Sequence, residues 1–136
     1  MFLYARAVVL FFAVGLACQA QDSALKKDKW RGAWMASIAA QGAGTAFDAA
    51  TSYHRGSEAN VLLADSNGQF GGKAIGVKAG VFVGGALLQC VLLRWASHRD
   101  AGLSRMLTKS FTILNFGAAG VYGAAGVHNL GVPSRP

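Results

Sequence analysis

The stretch GKAIGVKAGVFVGGALLQCVLLRW, residues 72–95, decides the fold of this chain. Between Lys78 and Arg94 it contains no charged residue. A helix over residues 73–94 would rise about 33 Å, which matches the hydrocarbon thickness of a bilayer, about 30 Å. The stretch therefore predicts a transmembrane helix.

Glycine recurs at every fourth position in this stretch, at Gly72, Gly76, Gly80 and Gly84. The spacing places the four glycines in a row on one helical face, where another backbone can approach closely. In a soluble helix each interior glycine would cost about 1 kcal/mol relative to alanine. We therefore expect the row to pack a helix, which is either a neighbour in the same bundle or, as a glycine zipper, a second copy of the chain.

Two further segments, 32–53 and 106–129, have the length of a membrane span and a similar content of small residues. The first repeats the four-residue spacing at Ala36, Ala40 and Gly44, and the second contains the tetrapeptide GAAG twice. Close packing of small residues is the usual basis of helix association in lipid. The expected fold class is therefore all-α, a small transmembrane helical bundle of three spans.

The segments between and after these spans are predicted to be irregular. Residues 54–72 are rich in Gly, Asn, Asp and Ser, and residues 97–105 form a short basic connection. We expect one membrane domain over residues 32–129, followed by a tail at 130–136.

The composition agrees with a membrane protein. Hydrophobic residues make up 53% of the 136-residue chain and charged residues 14%, against roughly 25% charged in soluble domains. The net charge is +7, but the basic residues are scattered between apolar segments and form no stripe. Basic loops beside membrane spans explain such a charge, so nucleic acid is not an expected partner.

The N-terminal residues 1–20 have the layout of a secretory signal peptide. Arg6 precedes an apolar run from Ala7 to Cys18, and small residues precede a predicted cleavage site after Ala20. The alternatives are a short fourth span or a lipoprotein with Cys18 lipidated. Cleavage would leave Cys90 without a partner, as a small buried apolar residue. A charged linker follows at 21–31, and Trp30 and Trp34 at its far end have the place of interfacial aromatics of a membrane helix.

Each predicted helix carries one polar seam, and in lipid such seams should turn inward because unsatisfied polar groups are costly there. We expect most of these side chains to form interhelical hydrogen bonds. The seams are Gln41, Thr45, Asp48 and Ser52 on the first helix, Lys78 and Gln89 on the second, and Thr108, Asn115, Tyr122 and Asn129 on the third.

An up-down-up bundle brings the charged residues of these seams to one side. Asp48 lies about one turn inside the end of the first span, and Lys78 lies about one turn inside the start of the second. We expect either an ion pair between them or a Lys78 side chain that extends to the lipid headgroups. The candidate polar cluster or ligand-binding site comprises Asp48, Glu58, Asn60, Lys78, His128 and Asn129.

Four short motifs between residues 45 and 129 carry a resemblance to a known family. They are Asp48 with Thr51, Gly56-x-Glu58-x-Asn60, Lys78-Ala79-Gly80 and His128-Asn129. Together they resemble the pattern D-x-x-[ST]T, G-x-x-E-x-N-P, K-A-G and H-N of a group of small, uncharacterised bacterial integral membrane proteins. Here Val61 stands in place of the proline, Ser52 in place of the second threonine, and one residue instead of two separates Gly56 from Glu58. The resemblance implies an integral membrane protein and supplies no activity.

Two indicators of membrane orientation conflict. The positive-inside rule favours a cytoplasmic location for the side with more basic residues, whereas a cleaved signal peptide would export residues 21–31 and that same side with them. We favour the signal peptide, which places the Asp48 cluster on the cytoplasmic side. If residues 1–20 instead remain as a short fourth span, the cluster faces outward. The more basic side carries Lys26, Lys27, Lys29, Arg31, Arg94, Arg99, Arg105 and Lys109, and the other side carries Arg55, Lys73, Lys78 and Arg135.

The sequence favours a non-enzymatic function. It lacks H-E-x-x-H, G-x-S-x-G and P-loop motifs, and no cysteine–histidine cluster indicates a metal site or cofactor. We expect a structural or accessory protein of the bacterial inner membrane, multi-pass, whose partners are the lipid bilayer and either its own copies or a larger membrane complex. The alternative is a small oligomeric transporter or ion-conducting protein packed through the glycine zipper.

Overall fold

The computed structural model describes residues 29–53, 63–64, 66 and 68–132, and this part of the chain is all-helical. The three helices match the three predicted spans in number and order. The predicted signal peptide at 1–20 lies outside the described residues, as do residues 54–62 of the first loop. The helices are α1 (Arg31–Ser52), α2 (Gly72–Arg99) and α3 (Ala101–Leu130).

The predicted connection at 97–105 is wrong, because only Asp100 separates α2 from α3. The Asp100 carboxylate accepts a hydrogen bond from the backbone N–H of Leu103 at 2.6 Å and so caps α3. Its own N–H donates to the Ala96 carbonyl and closes α2. The polar residues at 97–105 follow the apolar region but are compatible with a helix, so α2 continues to Arg99 and α3 begins at Ala101.

Two of the three helices are long and apolar enough to cross a membrane, namely α2 and α3. Residues 32–53, which were expected to span the membrane, form the helix α1, but α1 is less apolar than α2 and α3. Its sequence, RGAWMASIAAQGAGTAFDAATS, is dominated by small and polar side chains. A helix of this composition buries few large apolar groups and relies on its neighbours to cover its polar face.

A close backbone approach joins α1 to α3, the pair of helices with the most extensive contact. A Cβ built on Gly44 would lie 2.9 Å from the carbonyl oxygen of Ala119, so only glycine permits this approach. A Cβ on Gly126 would overlap the side-chain ring of Phe47. Small residues of α1 and of both GAAG repeats therefore do lie where helix packs against helix.

The glycine row of α2 does not make such a contact. A Cβ built on Gly72, Gly76, Gly80 or Gly84 would have no neighbour within 4 Å among the described residues. The expectation that the row packs a neighbouring helix of the same bundle is therefore wrong. Lys78 and Gln89 occupy the opposite face of α2, and that face meets the other two helices.

Burial in the bundle is the reverse of that in a water-soluble protein. Large apolar side chains point outward, including Val81, Ile113 and Val121, each about two-thirds exposed. The buried side chains include many polar ones, which are Ser37, Thr45, Asp48, Thr51, Ser104, Thr108, Thr112 and Asn115. This distribution suits a lipid environment, where polar groups find partners inside the bundle and apolar groups contact the acyl chains.

Gly44→Ala is expected to destabilise the bundle by about 1 kcal/mol. Overpacking against the Ala119 backbone costs about 1–3 kcal/mol, and the higher helix propensity of alanine offsets about 1 kcal/mol of that. Gly80→Ala is the matched control, because its new methyl group meets nothing, and it should be neutral or slightly stabilising. Unfolding of both variants in mixed detergent micelles measures the difference, and equal effects would contradict the α1–α3 contact.

Candidate functional site

Three helix ends meet at one tip of the bundle and form a polar cluster, defined here as Asp48, Ser52, Lys78 and Asn129. Asp48 and Ser52 lie in the last turn and a half of α1, Lys78 in the second turn of α2, and Asn129 next to the end of α3. Because α2 runs antiparallel to the other two helices, its start lies beside their ends. The expected convergence of Asp48, Lys78 and Asn129 is present in the structure.

Both carboxylate oxygens of Asp48 accept hydrogen bonds from this cluster. Oδ2 lies 2.5 Å from Nζ of Lys78, which forms the expected ion pair. Oδ1 accepts from Nδ2 of Asn129 at 3.0 Å and from the hydroxyl of Ser52 at 3.3 Å. Asn129 also donates to Ser52 Oγ at 2.7 Å. The side chain of Asp48 is only 7% exposed, so its charge is balanced by groups of the same chain.

Lys78 points into the bundle and does not extend to the headgroups. Its side chain is 18% exposed, and Nζ lies 4.7 Å from the centroid of the Phe70 ring. The ammonium therefore has a carboxylate on one side and the face of an aromatic ring on the other. Such a cation–π contact adds roughly 0.5–2 kcal/mol, depending on desolvation.

Phe70 is a member of the site that the sequence analysis missed. It is 1% exposed and packs with Ala49 of α1 and Ala74 of α2. The positive φ of Gly68, +71°, allows a turn just before Phe70. Phe70 then pairs with Ala64 in an isolated antiparallel bridge. Phe70 precedes the N-cap Gly71, and Ile75, the fourth residue of α2, packs against the same buried cluster.

This arrangement has a recognisable sequence signal. A hydrophobic residue just before a helix N-cap commonly packs on the fourth helical residue and fixes the angle at which the chain enters the helix. Phe70 and Ile75 have that spacing around Gly71. The loop therefore enters α2 with the aromatic ring already placed beneath Lys78.

The remaining predicted members of the site are not part of the described cluster. His128 is exposed on α3, and its neighbour Asn129 makes the contact with Asp48. The prediction that His128 belongs to the polar cluster is therefore wrong. Adjacent residues of a helix point about 100° apart, so His128 points away from Asp48 when Asn129 points toward it. Glu58 and Asn60 lie outside the described residues.

A second polar network joins all three helices nearer the opposite end. The side-chain amides of Gln89 and Asn115 exchange hydrogen bonds, with N–O distances of 2.9 and 3.0 Å. The indole N–H of Trp34 donates to Gln89 Oε1 at 3.0 Å, and Asn115 donates to Ser37 Oγ at 3.1 Å. Ser37 in turn donates to the Trp34 carbonyl. We call these four residues the amide network, and its bonds connect the helices as expected for the polar seams.

The tryptophans occupy two different environments. Trp34 is 1% exposed, so its expected place at the membrane interface is wrong. Its N–H instead supplies a donor to the amide network, which a buried indole needs. Trp30 and Trp95 are exposed and lie under the cations of Lys109 and Arg99, at 5.2 and 5.5 Å from their ring centroids. These two pairs have the positions and chemistry of interfacial anchors.

Cys90 has the burial expected of it. It is buried beside Trp34 and Leu93, as a small apolar residue would be. It is not a free thiol among the described residues. The expectation of an unpaired Cys90 applies only to a chain cleaved after Ala20 and stays a prediction. The other cysteine of the sequence, Cys18, lies outside the described residues.

Comparisons with known protein families, with curated proteins and with solved structures find no match for this chain.

Proposed function

We propose that this chain is a non-enzymatic integral membrane protein whose polar cluster fixes the three helices at one membrane face. In this proposal α1 crosses the bilayer together with α2 and α3. The protein acts as a structural or accessory subunit of a bacterial inner-membrane assembly. This proposal agrees with the implication of the motif resemblance, which names a membrane protein and no reaction.

The observation that carries the proposal is that the Asp48 carboxylate is satisfied by its own chain. Lys78, Ser52 and Asn129 direct donors at its two oxygens. A ligand-binding or proton-carrying carboxylate needs an atom that a ligand or water can reach, whereas this side chain is almost fully enclosed. The ion pair and the hydrogen bonds offset the cost of burying the charge. We therefore assign the polar cluster a structural role.

The large outward-facing apolar surface supports the membrane part of the proposal. Residues such as Leu88, Val91 and Leu114 are more than half exposed on α2 and α3. Monomeric water-soluble proteins rarely expose apolar residues on this scale. In a bilayer these side chains contact lipid, and the basic end with Trp30 and Trp95 lies at the headgroups.

Ion flux distinguishes the structural proposal from conduction. The purified protein is reconstituted in liposomes that enclose a pH-sensitive dye, and a potassium diffusion potential drives proton entry. A structural protein should give the same rate as protein-free liposomes and as liposomes with the Asp48→Asn/Lys78→Met variant. A wild-type leak that this variant abolishes would contradict the proposal and assign the cluster to a conduction path.

The open glycine row favours a second candidate function, a small oligomeric transporter or ion-conducting protein. Gly72, Gly76, Gly80 and Gly84 have no neighbour that a Cβ would meet within the described part of the chain. No contact between the described helices accounts for four glycines at this spacing. In lipid a row of this kind is a common contact between helices of different subunits.

Gly76→Leu combined with Gly80→Leu tests this candidate. If the row joins subunits, the wild-type protein should run as an oligomer in mild detergent and the variant as a monomer, because leucine prevents close approach. Val81→Leu, on a neighbouring part of α2 outside the row, is the control and should leave the mass unchanged. A monomeric wild-type protein, measured by light scattering, would contradict the candidate.

A further inference from the structure

We infer that the end of the bundle where α2 passes into α3 binds anionic phospholipid headgroups in preference to zwitterionic ones. The inference rests on the membrane location in the proposed function and adds the class of lipid that contacts this end. We call the surface the basic rim and define it by its exposed cationic and tryptophan side chains. They are Lys29 and Trp30 beside the start of α1, Arg94, Trp95 and Arg99 on α2, and Arg105 and Lys109 on α3.

The basic rim carries more positive charge than the described residues balance. This end of the described chain has the five cations of the rim and one carboxylate, that of Asp100. Oδ1 of Asp100 accepts a hydrogen bond from the backbone N–H of Leu103. The other carboxylate among the described residues, Asp48, lies at the opposite tip and is paired with Lys78. The rim therefore attracts anions from outside the described chain.

The tryptophans and one lysine of the rim lie at a common depth in the bundle. Gln89 and Asn115 are hydrogen-bonded to each other, so they mark one level on α2 and α3. Trp95 lies six residues after Gln89, and Lys109 lies six residues before Asn115, about 9 Å along each helix. Nζ of Lys109 in turn lies over the ring of Trp30 beside α1. The three helices thus present an aromatic and cationic belt at one level.

The length of α2 places this belt at a membrane face. Trp95 lies seventeen residues after Lys78, about 26 Å along the helix. The hydrocarbon core of a bilayer is about 30 Å thick. With the polar cluster of Lys78 at one face, the belt therefore reaches the other interface, where tryptophan is enriched in membrane proteins.

Two arginines of the rim lie further out, at the depth of the headgroups. Arg99 is ten residues after Gln89, and Arg105 is ten residues before Asn115. Each is therefore about 15 Å from the amide network and about 6 Å beyond the belt. The polar headgroup layer is about 5–7 Å thick on each side of a bilayer. Both guanidinium groups thus lie where the lipid phosphates are.

The cation–π pairs of the rim leave hydrogen-bond donors for these phosphates. Nζ of Lys109 lies 5.2 Å from the centroid of the Trp30 ring, and Cζ of Arg99 lies 5.5 Å from that of Trp95. An aromatic face attracts a cation but supplies no oxygen acceptor for its N–H groups, and a phosphate does. A zwitterionic headgroup brings an ammonium group with its phosphate, which the rim repels. The rim therefore favours headgroups with a net negative charge.

Brominated lipids measure which headgroup occupies the rim, because bromine quenches tryptophan fluorescence on contact. The protein is reconstituted in vesicles of phosphatidylcholine and phosphatidylglycerol in equal amounts, with bromine near the acyl carbonyl of one lipid or the other. Trp30 and Trp95 are exposed and report the neighbouring lipid, whereas the buried Trp34 gives a constant background. We expect about a fivefold preference for phosphatidylglycerol, the effect of about one basic residue at an anionic surface.

Charge variants locate this preference. Arg99→Gln combined with Lys109→Gln should lower it below about twofold, because both cations of the tryptophan pairs are lost. Arg99→Lys combined with Lys109→Arg keeps the two charges and should keep the preference. Lys73→Gln is the control, since it removes an exposed cation at the opposite tip, and it should leave the preference unchanged.

Four results would overturn the inference. Equal quenching by the two brominated lipids would do so and leave the membrane location intact, whereas no quenching by either would remove the proposed membrane function as well. An equal effect of Lys73→Gln would assign the preference to net charge instead of the rim. In detergent without lipid, inorganic phosphate should leave the tryptophan emission unchanged, and a change would assign the rim to a soluble anion.

Discussion

Lys78→Met is expected to lower the free energy of unfolding by about 2–3 kcal/mol. The substitution keeps the length and apolar stem of the side chain but removes the ammonium that lies 2.5 Å from Asp48 Oδ2. Asp48 then remains as a buried carboxylate with only the neutral donors Asn129 and Ser52. Breaking a buried pair costs about 3–5 kcal/mol, and we place this effect lower because Lys78 is 18% exposed.

The double variant Asp48→Asn/Lys78→Met should recover most of this loss. Once both charges are gone, no unpaired ion remains in the cluster, and the new amide oxygen at position 48 can still accept from Asn129. We expect a coupling energy of about 1–2 kcal/mol between the two positions. Lys73→Met is the matched control: it removes an exposed charge about one and a half turns earlier on α2 and should change stability by less than about 0.5 kcal/mol.

Reversible unfolding in mixed detergent micelles measures all four proteins of this cycle. Additive losses in the double variant would mean that the two side chains do not interact. An equal loss for Lys73→Met would mean that the effect of Lys78 comes from net charge and not from the contact with Asp48.

Asn115→Leu has the second largest expected effect, a loss of about 2 kcal/mol. Asn115 is 2% exposed and takes part in three hydrogen bonds, two with Gln89 and one with Ser37. An interhelical hydrogen bond in a membrane protein contributes about 0.6 kcal/mol on average. Leucine removes all three and also leaves the amide of Gln89 without its Asn115 partner.

Thr108→Val is the matched control for this prediction. Thr108 lies on the same seam of α3 and is 1% exposed, but its hydroxyl donates to the Ser104 carbonyl of the same helix. Valine keeps its shape and removes no contact between helices, so the loss should stay below about 0.6 kcal/mol. Equal losses for the two variants would contradict a role of the amide network in joining the helices.

The sequence predicted the polar contacts better than the apolar ones. Asp48, Lys78 and Asn129 could be brought together because a charged or amide group inside an apolar helix has few acceptable positions, and the up-down-up order fixes which ends meet. The same reasoning placed Gln89 and Asn115 on inward faces. Each of these groups restricts the fold strongly, because burial without a partner is costly.

Small residues gave a weaker prediction. Glycines at four-residue spacing show where close approach is allowed, but not which of several such faces is used. Gly44 meets the Ala119 backbone, whereas the longer row beginning at Gly72 faces outward. Dispersion contacts between helices depend on the whole shape of both surfaces, and spacing along one helix does not contain that information.

Helix ends were predicted least accurately where polarity changes within a continuous helix. Residues 97–105 are polar because they lie past the apolar region, yet α2 continues to Arg99 and α3 begins at Ala101. The capping carboxylate of Asp100 was the available signal. An aspartate at an N-cap position starts a helix as readily in a basic segment as elsewhere.

The polar cluster and the amide network together suggest how a bundle of small side chains keeps one arrangement. Lipid supplies no hydrophobic drive between helices, so specific polar contacts and close packing decide the register. One set of contacts lies at the tip that carries Asp48 and the other lies toward the end that carries Trp34. Two separated contact points fix both the position and the rotation of each helix.

The ammonium signal of Lys78 tests the central claim, the buried pair at the tip of the bundle, most directly. Protein labelled with ¹⁵N at lysine Nζ is prepared in detergent micelles, and the Lys78 resonance is assigned by its loss in Lys78→Arg. We predict a slowly exchanging ammonium signal that shifts or disappears in Asp48→Asn and is unchanged in Asp100→Asn, which alters the carboxylate at the opposite end. A Lys78 signal that exchanges as fast as those of exposed lysines and does not respond to Asp48→Asn would contradict the account.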